Sequence, residues 1–473
     1  VIVAIAIFPP ASSATDPAIL MRSNNRRKSL PREPLLLDIE KLSHEGRGLA
    51  RHEGKVVFVD GALPGERVIA TFTASKGSYS EARAVEVLLV SPDRVIPPCP
   101  FFQACGGCSL QHYAPVAQLA FKEAVLHERL AHAVGASSYQ QLEVISGPDQ
   151  GYRRKARLAV RHVAKKGKVL VGFRERHSSF ITDMDTCTVL DPEVARLLPA
   201  LGALIGQMHT QAQIPQIEVA VGDPVADSNT CALVFRHLQA LDDHDTSLLE
   251  AFAVAHAVDI YLQSGGPDTV RRLAPTRGDE RLHYTLPAYG LTLAFHPQDF
   301  TQVNAGINRQ MLARALDLLD PQPGDRVLDL FCGLGNFTLP LATRVAEVTG
   351  VEGNTAMVAR GMENARRNQI NNAVFLCADL TLPPEQHAWL QRGFDKVLLD
   401  PPRSGALEVL PAVVAARPQR IVYVSCNPAT LARDAALLLE NGYRLEAAGA
   451  MDMFPHTSHV EAIALFVPAG RRH

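Results

Sequence analysis

Eight cysteines stand at positions 99, 105, 108, 187, 231, 332, 377 and 426, and their surroundings separate them by chemistry. Cys426 closes an apolar run, VYVSC, and is followed at once by Asn427 and Pro428. Free cysteines are usually buried packing residues, but a turn immediately after the strand would expose this thiol. Ionised, it is a nucleophile, so the site must lower its pKa or supply a base. Cys99, Cys105 and Cys108 form a C-x5-C-x2-C pattern in CPFFQACGGC, with Cys187 in MDTCTVLDP as the fourth candidate ligand. Four thiolates suit zinc or an iron–sulfur cluster; a compact three-plus-one arrangement leans towards iron–sulfur. Cys231, Cys332 and Cys377 lie in apolar strands or a glycine turn and read as packing residues.

A second group of candidates marks a ligand crevice. VLDLFCGLGNFTLPLA (327–342) reads as a strand, a glycine-rich turn and a helix start. Gly333 and Gly335 allow close backbone approach to a ligand, while Thr338 stands where a dinucleotide fingerprint wants its third glycine. The turn alone fits a nicotinamide dinucleotide or S-adenosylmethionine. Glu352 ends the next apparent strand, where an acid accepts ribose hydroxyls. Asp379 follows the third, where an acid or amide meets an adenine amino group, and Asp400 ends the fourth. Single acids at strand ends are often helix caps; three in register face one crevice.

Between these sites lies GYRRKARLAVRHVAKKGKVLVGFRER (151–176), with ten Lys or Arg and one acid, Glu175. Basic and apolar residues alternate, so one face of a hairpin would be cationic and suited to phosphate, with Arg153, Arg154 and Lys155 as candidate contacts. Tyr152 and Phe173 are either core residues or stacking platforms for unpaired bases.

The elements that must position these groups divide the chain into a multidomain α/β architecture. Residues 35–92 read as short strands broken by glycine turns, a small OB-like β-barrel with Val56, Phe58, Val68, Ala70 and Phe72 at its alternating apolar positions. Residues 93–290 read as a mixed α+β central domain holding the cysteine cluster, a helix-like PVAQLAFKEAVLHERLAHAV and five strand-like runs. Residues 291–473 alternate apolar runs with helical segments, which implies βαβ units and a buried parallel sheet of Rossmann-like type. Residues 1–34 are expected to be a disordered extension and basic arm, with 1–20 upstream of a start at Met21. The opening apolar run, VIVAIAIFPP, is far short of the ~20 residues that span a bilayer and lacks the basic stretch of an export signal. A cytoplasmic protein without membrane attachment or structural disulfides is expected. Net charge is −2, so any affinity for nucleic acid rests on local patches.

DPPR (400–403), VYVSCNPATLARD (422–434), MFPHTSHVEAIALF (453–466) and FTQVN (300–304) together resemble the RNA uracil-5-methyltransferase family, and the likeness runs over 35–467. The leading barrel, then of TRAM type, and the four cysteines resemble the branch that acts on 23S ribosomal RNA; relatives acting on transfer RNA generally lack these cysteines. The resemblance implies S-adenosylmethionine as methyl donor, held by Gln302, Phe331, Asn336, Glu352, Asp379 and Asp400, although relatives carry Asn at the position of Asp379. It implies a [4Fe–4S] cluster on Cys99, Cys105, Cys108 and Cys187. It implies Cys426 adding to C6 of a flipped uridine and Glu461 removing the C5 proton, to give 5-methyluridine. A monomer is expected. An iron–sulfur nicotinamide oxidoreductase would account for the glycine turn and the cysteines but not for SCNP, DPPR or the basic hairpin. A catalytically silent RNA-binding scaffold would leave Cys426 and Glu461 without a purpose.

Overall fold

A computed structural model describes residues 33–135, 139–226, 228–275 and 278–470. The expected start at Met21 and most of the expected basic arm lie outside the described residues. The first strands are β1 (Leu35–Asp38), β2 (Lys41–Leu42), β3 (Gly48–His52), β4 (Lys55–Asp60), β5 (Arg67–Ser75) and β6 (Tyr79–Leu89). They form one six-stranded sheet in the order β1-β5-β6-β4-β3-β2, antiparallel except where β4 meets β6. Its core is Leu37, Ile39, Val57, Val59, Val68, Ala70 and Ala82. The inward face of β4 is therefore Val57 and Val59, one residue out of phase with the expected Val56 and Phe58. The strand is apolar on both faces there, so alternation could not set its phase, and Phe58 instead takes Tyr79 edge-on and Arg47 over its ring.

The predicted helix forms over α1 (Pro115–Val134), opened by a proline in its first turn, and is followed by a two-residue strand, β7 (Gln140–Gln141). Next comes a mixed sheet of order β13-β12-β11-β10-β8-β9. Its strands are β8 (Lys155–Val163), β9 (Lys168–Gly172), β10 (Gln216–Val221), β11 (Cys231–Arg236), β12 (Val258–Gln263) and β13 (Arg271–Ala274). Helices α2 (Pro192–Ala195), α3 (Leu198–Gln207) and α4 (Asp243–His256) accompany it. Leu158, Val160, Ile217, Leu233, Phe235 and Ile260 share a core with Leu201, Leu204, Leu249 and Phe252 of α3 and α4.

A hairpin of β14 (Leu282–Leu286) and β15 (Leu291–Phe295) leads to the last layer. It contains α5 (Ala305–Leu319), β16 (Arg326–Leu330), α6 (Thr338–Ala342), β17 (Glu347–Glu352), α7 (Thr355–Arg367), β18 (Ala373–Cys377) and β19 (Lys396–Leu399). It continues through α8 (Leu410–Ala416), β20 (Arg420–Ser425), α9 (Pro428–Glu440), β21 (Tyr443–Met451) and β22 (Glu461–Pro468). The order is β18-β17-β16-β19-β20-β22-β21-β7: five parallel strands, then β22 antiparallel to β20 and β21 antiparallel to β22. Strands buried on both faces read as unbroken apolar runs, as the sequence shows. In β20, Val422 and Val424 pack towards α5 while Ile421 and Tyr423 pack towards α8 and α9.

Packing crosses two of the expected boundaries. The helix α1 does not belong to a separate central body: Leu126, Leu130 and Val134 join the core formed by α8, α9 and the last sheet, and β7 pairs with β21 as its eighth strand. The boundary at 290/291 falls in the turn of the β14–β15 hairpin. Asn364 and Asn368 of α7 hydrogen-bond the β15 backbone at Ala294 and Thr292, so the whole hairpin packs with the last layer. Among the described residues, no helix is long and apolar enough to cross a membrane.

Candidate active site

The strand order reverses between β16 and β19, which opens a crevice at their C-terminal ends where open α/β sheets bind ligands. A cleft of about 1050 Å³ lies there, lined by Gln302, Phe331, Asn336, Glu352, Asp400, Cys426 and Glu461 among others. Seven of the eight expected catalytic and donor-site residues therefore come together.

Each is placed by local geometry. Phe331 leaves β16 with φ of +63°, turning the chain into the glycine loop while its amide still reaches the Val351 carbonyl at 2.9 Å. The absent third glycine has a structural reason: the Thr338 hydroxyl donates to buried Asp329 at 2.6 Å, tying the strand to the helix after the loop. Burial lifts the Asp329 carboxyl to about 7. Glu352 accepts the amides of Gly333 (3.1 Å) and Asn354 (2.9 Å), which fixes its carboxylate at the cleft. The Asn336 amide is locked by Asn308, which donates at 3.1 Å and accepts at 2.9 Å, and by the Tyr284 hydroxyl at 3.1 Å. These two partners, and the Asp299–Arg360 pair (3.1 Å) on the cleft wall, carry no motif and were missed from sequence.

Cys426 and Glu461 meet through strand register. Ser425 of β20 faces Ala462 of antiparallel β22, so Cys426, next along β20, and Glu461, the first residue of β22, emerge at the same sheet edge. Asn427 caps α9, accepting the Ala429 amide at 3.1 Å, so the thiol lies just ahead of a helix N-terminus, whose partial positive charge favours a thiolate. Burial nevertheless pushes the Cys426 thiol up, Glu461 and Asp400 add to this, and Arg403 opposes it. Glu461 is 6% exposed; burial above all, then Asp400, raises its carboxyl to about 8, against Arg403 and Lys122. Desolvation lifts Asp400 to about 7. The DPPR turn is anchored by buried Asp434 of α9, which accepts the Ala406 amide at 2.7 Å and the Tyr423 hydroxyl at 2.6 Å.

Two residues at this end of the sheet stand outside the cleft lining. Asp379 is exposed, does not line the cleft, and spends its carboxylate on the Thr381 amide (2.9 Å) and hydroxyl (2.7 Å). It lies two residues beyond the end of β18. Cys377, read as a packing residue, is exposed at the end of β18, 3.4 Å from the Thr355 hydroxyl.

Cys99, Cys105, Cys108 and Cys187 line a second, small cavity with Phe102, Gln111, Phe173 and Met184. All four are unpaired thiols, three of them buried, and burial pushes Cys108 up to about 12. A single zinc would draw its sulfurs to ~4 Å of one another. Among the described residues the one trio of such ligand atoms within 4.8 Å of one another is His209, Asp242 and Asp245. Asp245 already accepts the His209 and Thr210 amides and the Thr210 hydroxyl, so that trio is a loop clasp. Arg176 donates to the Cys108 carbonyl at 2.5 Å and covers Phe102. Tyr152 and Phe173 are core residues; the Tyr152 hydroxyl donates to the Pro455 carbonyl at 3.0 Å.

The basic hairpin is less free than its sequence suggests. Arg154 is paired with Asp223 at 2.5 Å, Lys155 is turned onto the Asp299 carbonyl, and Arg153 onto the Lys155 carbonyl at 3.0 Å. Among the described residues of this hairpin, Arg161, Lys165, Lys166 and Arg174 are the exposed cations that make no ion pair.

A model of the family described as tRNA (Uracil-5-)-methyltransferase matches residues 116–467, and a TRAM domain model matches 28–85. The 23S rRNA (uracil(1939)-C(5))-methyltransferase RlmD of Alkalilimnicola ehrlichii is 55% identical over 442 residues, covering 93% of this chain and 98% of its own. That of Hahella chejuensis is 52% identical over 451 residues, covering 94% and 100%. Among solved structures, the tRNA (uracil-54, C5)-methyltransferase of Pyrococcus abyssi in complex with S-adenosyl-L-homocysteine superposes with a TM-score of 0.70 at 25% identity, covering 91% of this chain and 99% of that one.

Proposed function

The chain belongs to the tRNA (uracil-5-)-methyltransferase family, and from that premise we propose that it methylates C5 of a uridine in 23S ribosomal RNA in the cytoplasm, working as a single chain. The observation that carries the mechanism is the pairing of Cys426 with Glu461 at one edge of the cleft. S-adenosylmethionine, when bound, supplies an electrophilic methyl group; Glu352 and Asp400 on the strand ends, with Gln302, Phe331 and Asn336, are the residues that would hold it. Uracil C5 is a poor nucleophile until a thiolate adds at C6. Cys426 gives its proton to solvent and Sγ adds to C6, opening the C5–C6 double bond and placing enolate character on C5; that carbon would then take the methyl group, the electron pair of the broken S–CH3 bond staying on the donor sulfur, which leaves as a neutral thioether. Glu461, ionised, then takes the C5 proton; the electron pair of that bond restores the C5–C6 double bond as Sγ leaves. A carboxyl lifted by burial is a stronger base than an exposed one, which suits it to removing a carbon-bound proton.

Cys99, Cys105, Cys108 and Cys187 would hold a [4Fe–4S] cluster, a reading supported by the four thiols lining one cavity and by their compact three-plus-one spacing. Methyl transfer to carbon consumes no electrons, so its contribution is to hold segments 99–108 and 187 together. The barrel and the exposed cations Arg161, Lys165, Lys166 and Arg174 supply the phosphate-binding surface. High identity along the full length to enzymes named for 23S RNA, against 25% to the tRNA enzyme, supports ribosomal RNA as the substrate.

The test uses unmodified 23S RNA and methyl-labelled donor. Cys426→Ala should form no adduct and transfer no methyl. Glu461→Gln should transfer the methyl and stall as a labelled protein–RNA adduct that survives denaturing electrophoresis. Formation of 5-methyluridine by Cys426→Ala would exclude the covalent route.

A further inference from the structure

The segment that delivers Glu461 is residues 452–460, between β21 and β22, and its polar contacts come largely from residues more than 300 positions earlier. The amides of Ser109 and Leu110 both donate to the His456 carbonyl at 2.9 Å, and the Ser458 amide donates to the Ser109 hydroxyl at 3.1 Å. Gln118 of α1 accepts the His456 amide at 3.0 Å while donating to the Leu110 and Tyr113 carbonyls at 3.0 and 2.7 Å. One turn further along α1 is Lys122, fully buried. Its ammonium donates to Asp452 at 2.5 Å and to the Phe454 carbonyl at 3.0 Å.

A fully buried lysine is costly, and a pair that serves only stability is usually no better than well-packed apolar residues. This pair sits where its charge has a second use. We infer that Lys122 is a positioning residue for the proton-abstraction step: it pins the 452–460 segment through Asp452 and Phe454, and so sets the place and the charge environment of Glu461. The inference rests on the reading of Glu461 as the base. The groups facing Glu461 are Asp400 from the end of β19, Arg403 from the turn after it, Cys426 from the end of β20, and Lys122 from α1. Asp400 opposes ionisation of Glu461, whereas Arg403 and Lys122 favour it. Arg403 is the stronger of the two influences but is exposed to solvent; Lys122 is the buried cation of the set. Facing Lys122 are Asp452 and Glu461, with His456 and His459 from the same segment.

The experiment follows decay of the methylated protein–RNA adduct across pH 6–9.5 by single turnover with labelled donor and unmodified 23S RNA. The variants are Lys122→Met, Lys122→Arg and the charge-balanced Lys122→Met/Asp452→Asn, which leaves no buried lone charge. Without the ammonium, the pH midpoint of decay should rise by about one unit, which at pH 7 slows decay roughly tenfold. Adduct formation at pH 7 should stay within about threefold of wild type. Lys122→Arg should restore the midpoint. A purely structural role would lower the active fraction and leave the midpoint unmoved, and that result in either neutral variant overturns the inference. Glu461→Gln is the control: if its adduct decays like wild type, the base assignment itself is wrong, and if it stalls while the Lys122 variants keep the wild-type midpoint, only the role of Lys122 is.

Discussion

A base buried ahead of its substrate should weaken the fold that holds it, and Glu461 lets that weakening be measured without RNA or donor. Its folded carboxyl sits near 8 against an ordinary 4.5, chiefly through burial. A carboxyl raised on folding is protonated more readily in the folded state. Its contribution is fully present below about 4.5 and is lost as pH rises through about 8. At about 1.4 kcal/mol per unit, the difference between those two values amounts to ~5 kcal/mol, a ceiling because Asp400 titrates with it and water enters as charge develops. Glu461→Gln keeps the shape and never ionises. The variant should be close to wild type in stability at pH 5 and more stable by ~2–4 kcal/mol at pH 8. Trp389 is the one tryptophan of the chain, is 3% exposed, and packs in the core beside the β19–β20 strands. Its fluorescence in urea titrations at pH 5, 6.5 and 8 therefore reports on the layer that carries Glu461. A stability difference that stays flat with pH, or that shrinks as pH rises, would refute a carboxyl held protonated by burial.

Other outcomes follow from the cluster, the hairpin and the crevice. Protein made without oxygen should be brown and carry about four irons per chain, whereas stoichiometric zinc would exclude the iron–sulfur reading. Neutralising Arg161, Lys165 and Lys166 should reduce the log–log salt slope of RNA binding by roughly 0.7–0.9 for each phosphate no longer neutralised, measured by filter binding; an unchanged slope would make them a solvated face. Glu352→Ala should weaken S-adenosylhomocysteine binding by roughly a factor of ten or more, as expected for removing a charge-assisted hydrogen bond, while Asp379→Ala should leave it nearly unchanged by calorimetry. A large effect at Asp379 would show that this loop closes over the ligand.

What could be read from sequence was whatever is local. Five parallel strands appear as unbroken apolar runs because both faces are covered, and α1 appears because its apolar positions recur at helical spacing. The strand-end rule located Glu352 and Asp400 because both sit within one residue of the end of a hydrogen-bonded ladder. Asp379 lies one residue further out, and its carboxylate accepts from Thr381. Cys377 looked buried because its strand is apolar, yet the strand stands at the sheet edge. The roles of Asn308, Tyr284, Gln118 and Lys122 depend on partners 28 to 338 residues away, and no local pattern encodes such pairings. The basic hairpin was over-read for the same reason: Arg154 finds Asp223, 69 positions on.

The early addition of α1 and β7 to the last sheet has a consequence for synthesis. Leu126, Leu130 and Val134 leave the ribosome about 300 residues before α9 and β21, their partners in the finished core. Through that interval α1 has an apolar stripe and no surface to cover it, so this layer closes only when the C-terminus is released. The cysteine-bearing segments, 99–108 and 187, are complete much earlier. The newly made 452–460 segment then docks onto Ser109, Leu110, Gln118 and Lys122, which left the ribosome long before it. A fragment beginning at 291 would lack both the helix and the edge strand. It should precipitate rather than fold, which makes α1, β7 and the last sheet a single obligate unit despite the separate sheets among which the chain is divided.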